Sequence, residues 1–230
     1  MVRRADVVIA RLGDGPVERV GGKAAGLARL LELGLPVPPA FVLPVGFELT
    51  DAAAIVAELG EPLAVRSSAV GEDAGDRSAA GQYETVLNVR AADVPDAVAR
   101  VRGSTARARA YGVGEDVAVL IQRQVPATKA GVAFSRDPTT GDDAIVVECA
   151  FGSGDAVVSG EVVPDRYRVA NAGISARVAG ELRTLRDDEL AALAELVGRA
   201  ERGFGHPVDV EFCWERRKLW LVQCRAITTL

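Results

Sequence analysis

The fold is decided by VDVEFCWERRKLWLVQCR, the stretch at residues 208–225 of this 230-residue chain. β-Branched and aromatic residues alternate with polar ones on either side of a charged run at residues 215–218, and this pattern predicts a β-hairpin. The register that pairs Glu211 with Gln223 requires a three-residue loop at 216–218, or a two-residue turn offset by a bulge. Either form leaves these two side chains on one face.

Polar side chains are concentrated on that face. Successive side chains of a strand point to opposite sides, so Asp209 and Glu211 share one face of the first strand. For the same reason Gln223 and Arg225 share one face of the second. Carboxylate and amide oxygens suit Mg²⁺, and a fixed guanidinium suits a transferring phosphoryl group. Three less polar residues are expected on these faces, which favours a cleft over a solvent-facing hairpin: Cys213, Leu219 and Leu221.

Two segments nearer the start of the chain suit an anion. Gly21-Gly22-Lys23 opens a predicted helix, where backbone amides and the lysine can face a phosphate. It lacks the full P-loop spacing, and a solvated lysine is the ordinary alternative. In the second segment, Arg66 ends an apolar strand and is followed by Ser67 and Ser68. With the small-residue loop at 71–82, this segment can clamp a polyphosphate and close over it as a lid, or it is a surface turn.

The remaining pattern predicts an α+β fold, because runs of short strands are interspersed with helices. Three helices are predicted, at residues 23–33, from the N-cap Asp93 to about Tyr111, and from the N-cap Asp187 to about Gly203. Eight strands are predicted, at Leu63–Arg66, Thr85–Val89, Val117–Ile121, Gly131–Phe134, Ala144–Cys149, Arg166–Val169, Val208–Trp214 and Leu219–Cys224. Glycine-rich loops over a shared cleft are expected at residues 13–22, 71–82 and 152–160.

Composition narrows the classes of function. With 49% hydrophobic residues the chain can bury the core of one large domain or of two small lobes. A net charge of −5, with basic residues scattered among acidic ones, argues against nucleic acid as a partner. The three cysteines lie far apart in apolar sequence, which favours buried thiols in a reducing compartment. Because no apolar run is long enough for a membrane span or a signal-peptide core, a cytoplasmic location is expected.

Several stretches together resemble the N-terminal ATP-grasp domain of the phosphoenolpyruvate synthase and pyruvate phosphate dikinase family, which also occurs in rifampicin phosphotransferase. They are GGKAAGLARLLELGLPVPPAFVLP, LAVRSSAVGED with the following AGQYETVLNV, VLIQRQVPATKAGVAFSRDPTTG, VECAFGSGDAVVSGEVVPDRY and DVEFCWERRKLWLVQCRAIT. The resemblance covers most of the chain. It implies two lobes with the nucleotide in the cleft between them: residues 1–112 with the phosphate-binding lysine, arginine and lid loop, and residues 113–230 with the adenine hinge and the metal-binding hairpin.

The resemblance also implies roles for single residues on the nucleotide side of the site. Lys23 and Arg66 bind the ATP phosphates, and together with Arg225 they are the expected catalytic residues. The hinge Gln122-Arg-Gln-Val125 contacts adenine, through the Gln122 group and the backbone of Val125. The ordinary alternative for this hinge is a strand end.

On the metal side, the resemblance places Glu211 and Gln223 on Mg²⁺. It also implies that Asp209 and Arg225 support the metal and the γ-phosphoryl group. The implied cofactors are therefore ATP and Mg²⁺, and the implied activity is an ATP-dependent phosphotransferase.

Two departures from the family pattern affect the expected function. The connections from Lys23 to Arg66 and from Arg168 to Asp209 are shorter than usual, so the domain is expected to be trimmed. The one histidine, His206, lies in a Gly-His-Pro sequence without the family's phosphorylatable-histidine motif. The acceptor is therefore expected to be a separate phosphohistidine-domain protein or a small molecule. A catalytically silent regulatory or assembly module is the alternative, and an ATP-grasp ligase ranks last.

Overall fold

The computed structural model describes residues 10–14, 20–69, 84–110, 117–153, 162–170 and 173–228. The chain divides into two units. Unit 1 comprises residues 1–28 and 38–124, and unit 2 comprises residues 29–37 and 125–230. The expected boundary between residues 112 and 113 differs from this division, because the strand at Val117–Arg123 is hydrogen-bonded within the sheet of unit 1.

Unit 1 is built on a five-stranded antiparallel sheet with the strand order β1-β2-β5-β3-β4. Its elements are β1 (Ala10–Arg11), α1 (Gly21–Glu32), β2 (Ala40–Leu43), α2 (Ala52–Leu59), β3 (Leu63–Ala69), β4 (Thr85–Val89), a 3₁₀ turn (Ala91–Asp93), α3 (Val94–Ala110) and β5 (Val117–Arg123). Helix α1 crosses the division, since its residues from Arg29 onward belong to unit 2.

The core of unit 1 lies between one face of this sheet and helices α2 and α3. Leu63 and Val65 of β3 pack there against Ile55 of α2 and Val98 of α3, and each of these four residues is at most 4% exposed. Helix α2 is preceded by the N-cap Asp51, whose carboxylate accepts a hydrogen bond from the N–H of Ala54. An N-cap of this kind satisfies a backbone donor that the first turn leaves open.

Unit 2 is built on a six-stranded antiparallel sheet with the strand order β11-β10-β6-β7-β8-β9. Its elements are β6 (Lys129–Phe134), β7 (Ile145–Phe151), β8 (Asp165–Ala170), β9 (Gly173–Arg177), α4 (Asp187–Phe204), β10 (Val208–Glu215) and β11 (Lys218–Ala226). Helix α4 is amphipathic, and the residues on its buried face recur at helical spacing: Leu190, Leu193, Val197 and Ala200.

All eight predicted strands are confirmed: β4 has the predicted bounds, and the ends of the others differ by at most three residues. The three predicted helices are also present, and α3 begins directly after Asp93. The prediction that Asp187 is an N-cap is wrong. Arg186 holds that position, and its N–H donates to the carboxylate of Glu189 at 2.9 Å. Within the described ranges, the elements that were not predicted are the short strands β1, β2 and β9, the helix α2 and the 3₁₀ turn before α3.

The predicted state of the cysteines is confirmed, because Cys149, Cys213 and Cys224 are buried free thiols. Burial raises the pKa of the Cys149 thiol to about 12, so this cysteine is uncharged and unreactive at neutral pH. In the described part of the chain, no helix has the length and apolar character needed to cross a membrane.

A buried carboxylate holds the segment that leads into helix α4. Asp165, at the start of β8, accepts hydrogen bonds from the Tyr167 hydroxyl and from the N–H of Ala179, both at 2.8 Å. It also accepts from the N–H and the hydroxyl of Thr184, both at 2.7 Å. Burial by itself raises the pKa of this carboxyl, but the hydrogen bonds outweigh burial and hold the pKa below its usual value.

Replacing Asp165 with asparagine should lower the free energy of unfolding at neutral pH by about 2–3 kcal/mol, because an amide cannot accept from all four donors. The folded-state pKa of Asp165 is depressed. Its contribution to stability is therefore present above the unfolded pKa of about 3.9 and is lost as the pH falls through the folded pKa. Denaturant unfolding at a series of pH values measures both effects.

The matched control is Asp143→Asn, since Asp143 is an exposed carboxylate 3.6 Å from Arg136. This variant should change stability by less than about 0.5 kcal/mol. Equal stability of Asp165→Asn and the wild type at neutral pH would contradict the role assigned to the buried carboxylate.

Candidate nucleotide and metal site

The hairpin of β10 and β11 has the predicted register over the polar residues. Glu211 is the Cα partner of Gln223, and Asp209 is the Cα partner of Arg225. Directly opposed residues of an antiparallel pair project from the same face. The four polar side chains therefore share one face of the sheet of unit 2.

Beyond Glu211 the register shifts by one residue, so the hairpin closes with a two-residue turn offset by a bulge. The turn consists of Arg216 and Arg217, and Arg216 adopts the left-handed conformation with φ of 56°. This is the second of the two forms that the sequence allows. The extra residue on β11 is Val222, because Leu221 pairs with Phe212 while Gln223 pairs with Glu211.

The bulge changes which apolar residues accompany the polar face. The expectation that Leu219 and Leu221 lie on it is wrong, because the shifted register pairs them with the core residues Trp214 and Phe212. Trp220 takes their place. It packs in an apolar cluster on the polar side of the hairpin, made of Ala130, Cys213 and Trp220 with Val125, Ala127 and Val222 around them.

Asp209 and Arg225 form an ion pair at one end of the polar face. Nε of Arg225 donates to Oδ2 of Asp209 at 2.8 Å, and a terminal guanidinium nitrogen lies 2.7 Å from the same oxygen. Asp209 is 6% exposed, and burial raises the pKa of its carboxyl although Arg225 opposes the rise. Oδ1 of Asp209 is also buried, and no described residue donates a hydrogen bond to it. A buried carboxylate oxygen of this kind is suited to a cation.

The oxygen donors beside this ion pair fit Mg²⁺. Glu211 is half-buried and Gln223 is 5% exposed, and they oppose each other two residues from Asp209 and Arg225. In the described ranges, no group of three or more His, Cys, Asp and Glu residues could hold a metal by itself. Magnesium in nucleotide enzymes commonly has only one or two protein carboxylates and takes its other ligands from phosphates and water. Glu211 and Gln223 would hold the ion in that way.

The same face carries charge beyond the hairpin, which was not predicted. Glu211 is paired across the sheet with Val132, Val132 with Glu148, and Glu148 with Arg166. These four residues form one row, in which Nε of Arg166 lies 3.9 Å from Oε1 of Glu148. The period of two within each strand indicated the face of each residue, but the row itself depends on the order of the strands.

In unit 1, the first turn of α1 is attached to the end of β3. The N–H of Ala24 donates to Oγ of Ser68 at 3.0 Å, and this hydrogen bond is buried. Gly21 adopts φ of 74°, and a Cβ placed there would collide with the backbone carbonyl of Ser68. The hydrogen bond and the close approach bring Lys23 of α1 to the end of the strand that carries Arg66.

The two serines after Arg66 are buried. Ser67 is 1% exposed and Ser68 is 0% exposed. The Ser68 hydroxyl already accepts a hydrogen bond from the protein. The contact of these hydroxyls with the nucleotide stays a prediction. The expected lid at residues 71–82 lies outside the described residues, as does most of the glycine-rich loop at 152–160.

Gln122 and Val125 lie on either side of the division between the units. Gln122 is 3% exposed in β5, and its Nε2 donates to the carbonyl oxygen of Pro38 at 3.3 Å. The contact of Gln122 with adenine stays a prediction. Val125 begins the second part of unit 2, and its carbonyl oxygen accepts from the N–H of Ala127 at 2.8 Å.

A family model described as the pyruvate phosphate dikinase AMP/ATP-binding domain matches residues 48–179 and 173–230. The chain belongs to this family. A probable phosphoenolpyruvate synthase of Methanothermobacter thermautotrophicus is 32% identical over an alignment of 309 positions, gaps included, which covers 95% of this chain and 45% of that protein. Prodigiosin synthesizing transferase PigC of Serratia marcescens is 32% identical over 97% of this chain and 33% of its own length.

An uncharacterized phosphotransferase of Bacillus subtilis, YvkC, is 28% identical over 97% of this chain and 35% of its own length. The chain thus spans less than half the length of these relatives. The alignment of 309 positions is longer than the 230 residues of this chain, so it contains gaps in this chain relative to that protein.

Solved structures confirm the predicted fold. An N5-carboxyaminoimidazole ribonucleotide synthetase in complex with ADP has a TM-score of 0.53 at 13% identity, covering 90% of this chain and 44% of its own. A D-alanine–D-alanine ligase of Bacillus anthracis in complex with ATP has a TM-score of 0.52 at 10% identity, covering 90% of this chain and 54% of its own. At such low sequence identity, these similarities show only the fold, which is the α+β ATP-grasp fold.

Proposed function

We propose that this pyruvate phosphate dikinase-type domain binds Mg·ATP and positions a phosphoryl group for transfer to a histidine on a separate protein or domain. The observation that carries the proposal is the register of the β10–β11 hairpin. It supports a shared cation site, because Glu211 opposes Gln223 beside the ion pair of Asp209 and Arg225.

In this proposal the hairpin residues have two roles, metal binding and phosphoryl binding. Glu211 and Gln223 supply oxygen ligands to Mg²⁺, which when bound neutralises phosphate charge. Asp209 keeps the guanidinium of Arg225 in place through its Oδ2, so the cation is already oriented when the phosphoryl group needs it. The Arg225 side chain is 46% exposed, so an anion can approach its guanidinium from solvent.

Lys23 and Arg66 are the proposed phosphate ligands of unit 1. Lysine offers a mobile point charge, whereas the planar fork of arginine can bind two phosphate oxygens at once. The attachment of α1 to β3 supports a joint role for these two residues.

Lys23→Ala and Arg66→Ala should each weaken Mg·ATP binding by about 1.5–3 kcal/mol, the value of a hydrogen bond to a charged group. Calorimetric titration measures the loss. Arg90→Ala is the control, because Arg90 is 72% exposed and lies 3.5 Å from Glu61 in the same unit. It should leave ATP affinity unchanged. Unchanged affinity in both test variants would remove the phosphate-binding assignment.

The acceptor has to be tested separately from binding. The chain's one histidine, His206, is exposed, and its Nδ1 lies 3.0 Å from the carbonyl oxygen of Pro207. Incubation with ATP labelled at the β- or the γ-phosphate, with and without a phosphohistidine-domain protein, follows the transfer. Binding without transfer to any histidine would favour the regulatory or assembly module instead. A cytoplasmic location belongs to the proposal and is supported by the free thiols.

A further inference from the structure

We propose that Ser68 is a positioning residue for Lys23. Its hydroxyl fixes the peptide group next to the lysine and so holds Lys23 beside the strand that carries Arg66. The inference rests on the proposed function, in which Lys23 and Arg66 bind the polyphosphate of the nucleotide. It gives Ser68 an indirect role in place of the expected direct contact.

The first observation is the hydrogen bond itself. Oγ of Ser68 accepts from the N–H of Ala24 at 3.0 Å, and Ser68 is 0% exposed. That N–H belongs to the peptide group that joins Lys23 to Ala24. The Cα of Lys23 is part of this peptide plane, so a hydrogen bond that fixes the plane also fixes the root of the lysine side chain.

The second observation is steric and independent of the hydroxyl. Gly21 adopts φ of 74°, and a Cβ at this position would meet the backbone carbonyl of Ser68 and would lie 2.6 Å from its Oγ. The first turn of α1 therefore approaches β3 so closely that only glycine fits. The approach of the helix is set by this contact, and its orientation is set by the hydrogen bond to Ala24.

The third observation is the position of Arg66 on the same strand. Arg66 and Ser68 share a face of β3, because they are two residues apart, whereas Leu63 and Val65 contribute to the core of unit 1. Arg66 is half-buried, while the other six residues of β3 are buried. The hydroxyl that holds the turn of Lys23 is thus about 7 Å along the strand from Arg66.

A fixed backbone at Lys23 matters because Lys23 and Arg66 are proposed to bind the same polyphosphate. The Lys23 side chain is long and has many rotamers, so the range that its ammonium group can reach depends on where its backbone lies. Fixing that backbone at the end of β3 limits this range before the ligand arrives. Lys23 then loses less conformational entropy when a polyphosphate binds.

A double-mutant cycle tests the inference. Calorimetry would compare the affinity for Mg·ATP and for adenosine in the wild type, Ser68→Ala, Lys23→Ala and the double variant. We expect Ser68→Ala to weaken Mg·ATP binding by roughly tenfold and to leave adenosine binding unchanged. In the Lys23→Ala background, the same change should weaken Mg·ATP binding by less than about twofold, because the residue through which Ser68 acts is gone.

Two further variants separate positioning from general destabilisation. Ser104→Ala removes another buried serine of unit 1, whose hydroxyl donates to the carbonyl oxygen of Val101 at 2.7 Å, and it should not change ATP affinity. Ser68→Thr keeps the hydroxyl and should keep at least half of the wild-type affinity. If Ser68→Ala does not fold, Ser68→Cys, which has nearly the same volume but a weak acceptor, takes its place in the cycle.

The outcomes distinguish this inference from the proposed function. If Lys23→Ala binds Mg·ATP as the wild type does, the phosphate-binding assignment and the inference both fall. If Lys23→Ala weakens binding but Ser68→Ala weakens it equally in both backgrounds, only the inference is overturned. Equal losses for Mg·ATP and adenosine in Ser68→Ala, or no loss for either, would overturn it as well.

Discussion

Replacing Gly131 with alanine should destabilise the protein by about 3–5 kcal/mol, well above the effect of a typical substitution. Gly131 lies in β6, between Cys149 of β7 and Phe212 of β10. A Cβ there would overlap the carbonyl oxygen of Glu148 and lie 2.8 Å from the Cα of Cys149. Both are backbone atoms of a paired strand. The clash can therefore be relieved only by moving the sheet.

Chemical denaturation measures this loss, and Gly198→Ala provides the matched control. Gly198 lies within helix α4, and a Cβ there would lie 3.3 Å from the end of the flexible Arg202 side chain. Alanine is favoured over glycine inside a helix, so this variant should gain about 0.5–1 kcal/mol. A cost of 1 kcal/mol or less for Gly131→Ala would contradict the strand packing described here.

Glu211→Ala should remove most of the contribution of Mg²⁺ to ATP binding. We expect a loss of about 3–5 kcal/mol, more than 100-fold in the affinity of the ATP complex for the ion, as when one partner of a desolvated ion pair is deleted. Titration of ATP with and without Mg²⁺ measures the difference. Since Gln223 is the other proposed ligand of the same ion, Gln223→Leu should reduce the same quantity, and the double variant should lose less than the sum.

Glu195→Ala is the control for the metal prediction, because Glu195 is an exposed glutamate on α4 of the same unit. It should leave the effect of Mg²⁺ unchanged. An undiminished effect of Mg²⁺ in Glu211→Ala, in a protein of wild-type stability, would exclude this residue as a metal ligand.

Strand patterns could be predicted from the sequence because they are local. The period of two at residues 208–225 predicted the hairpin and the common face of Glu211 and Gln223, and the structure confirms both. The short strands β1 and β9 were missed because their local signal is weak. Strand β1 has two residues, and all five residues of β9 are exposed, so neither has an apolar alternation to reveal it.

Roles that depend on distant residues could not be predicted in the same way. The hydroxyls of Ser67 and Ser68 are chemically able to bind a phosphate. No signal in the sequence indicated that the Ser68 hydroxyl accepts a hydrogen bond from Ala24, 44 residues earlier. The carboxamide of Gln122 likewise suited adenine, and no signal in the sequence indicated that it donates to the carbonyl oxygen of Pro38, 84 residues earlier. Both cases depend on which segments pack together.

The sequence by itself determined the family, eight of the eleven described strands and the polar face of the hairpin, since these follow from residue types and their spacing along the chain. Only the tertiary structure decided the bulge at Val222, which places Trp220 rather than Leu221 beside the polar residues. The physical reason is that periodicity specifies how side chains alternate within a strand. The register between strands, and the contacts of Ser68 and Gly131 with other segments, depend on packing between residues that are distant in the sequence.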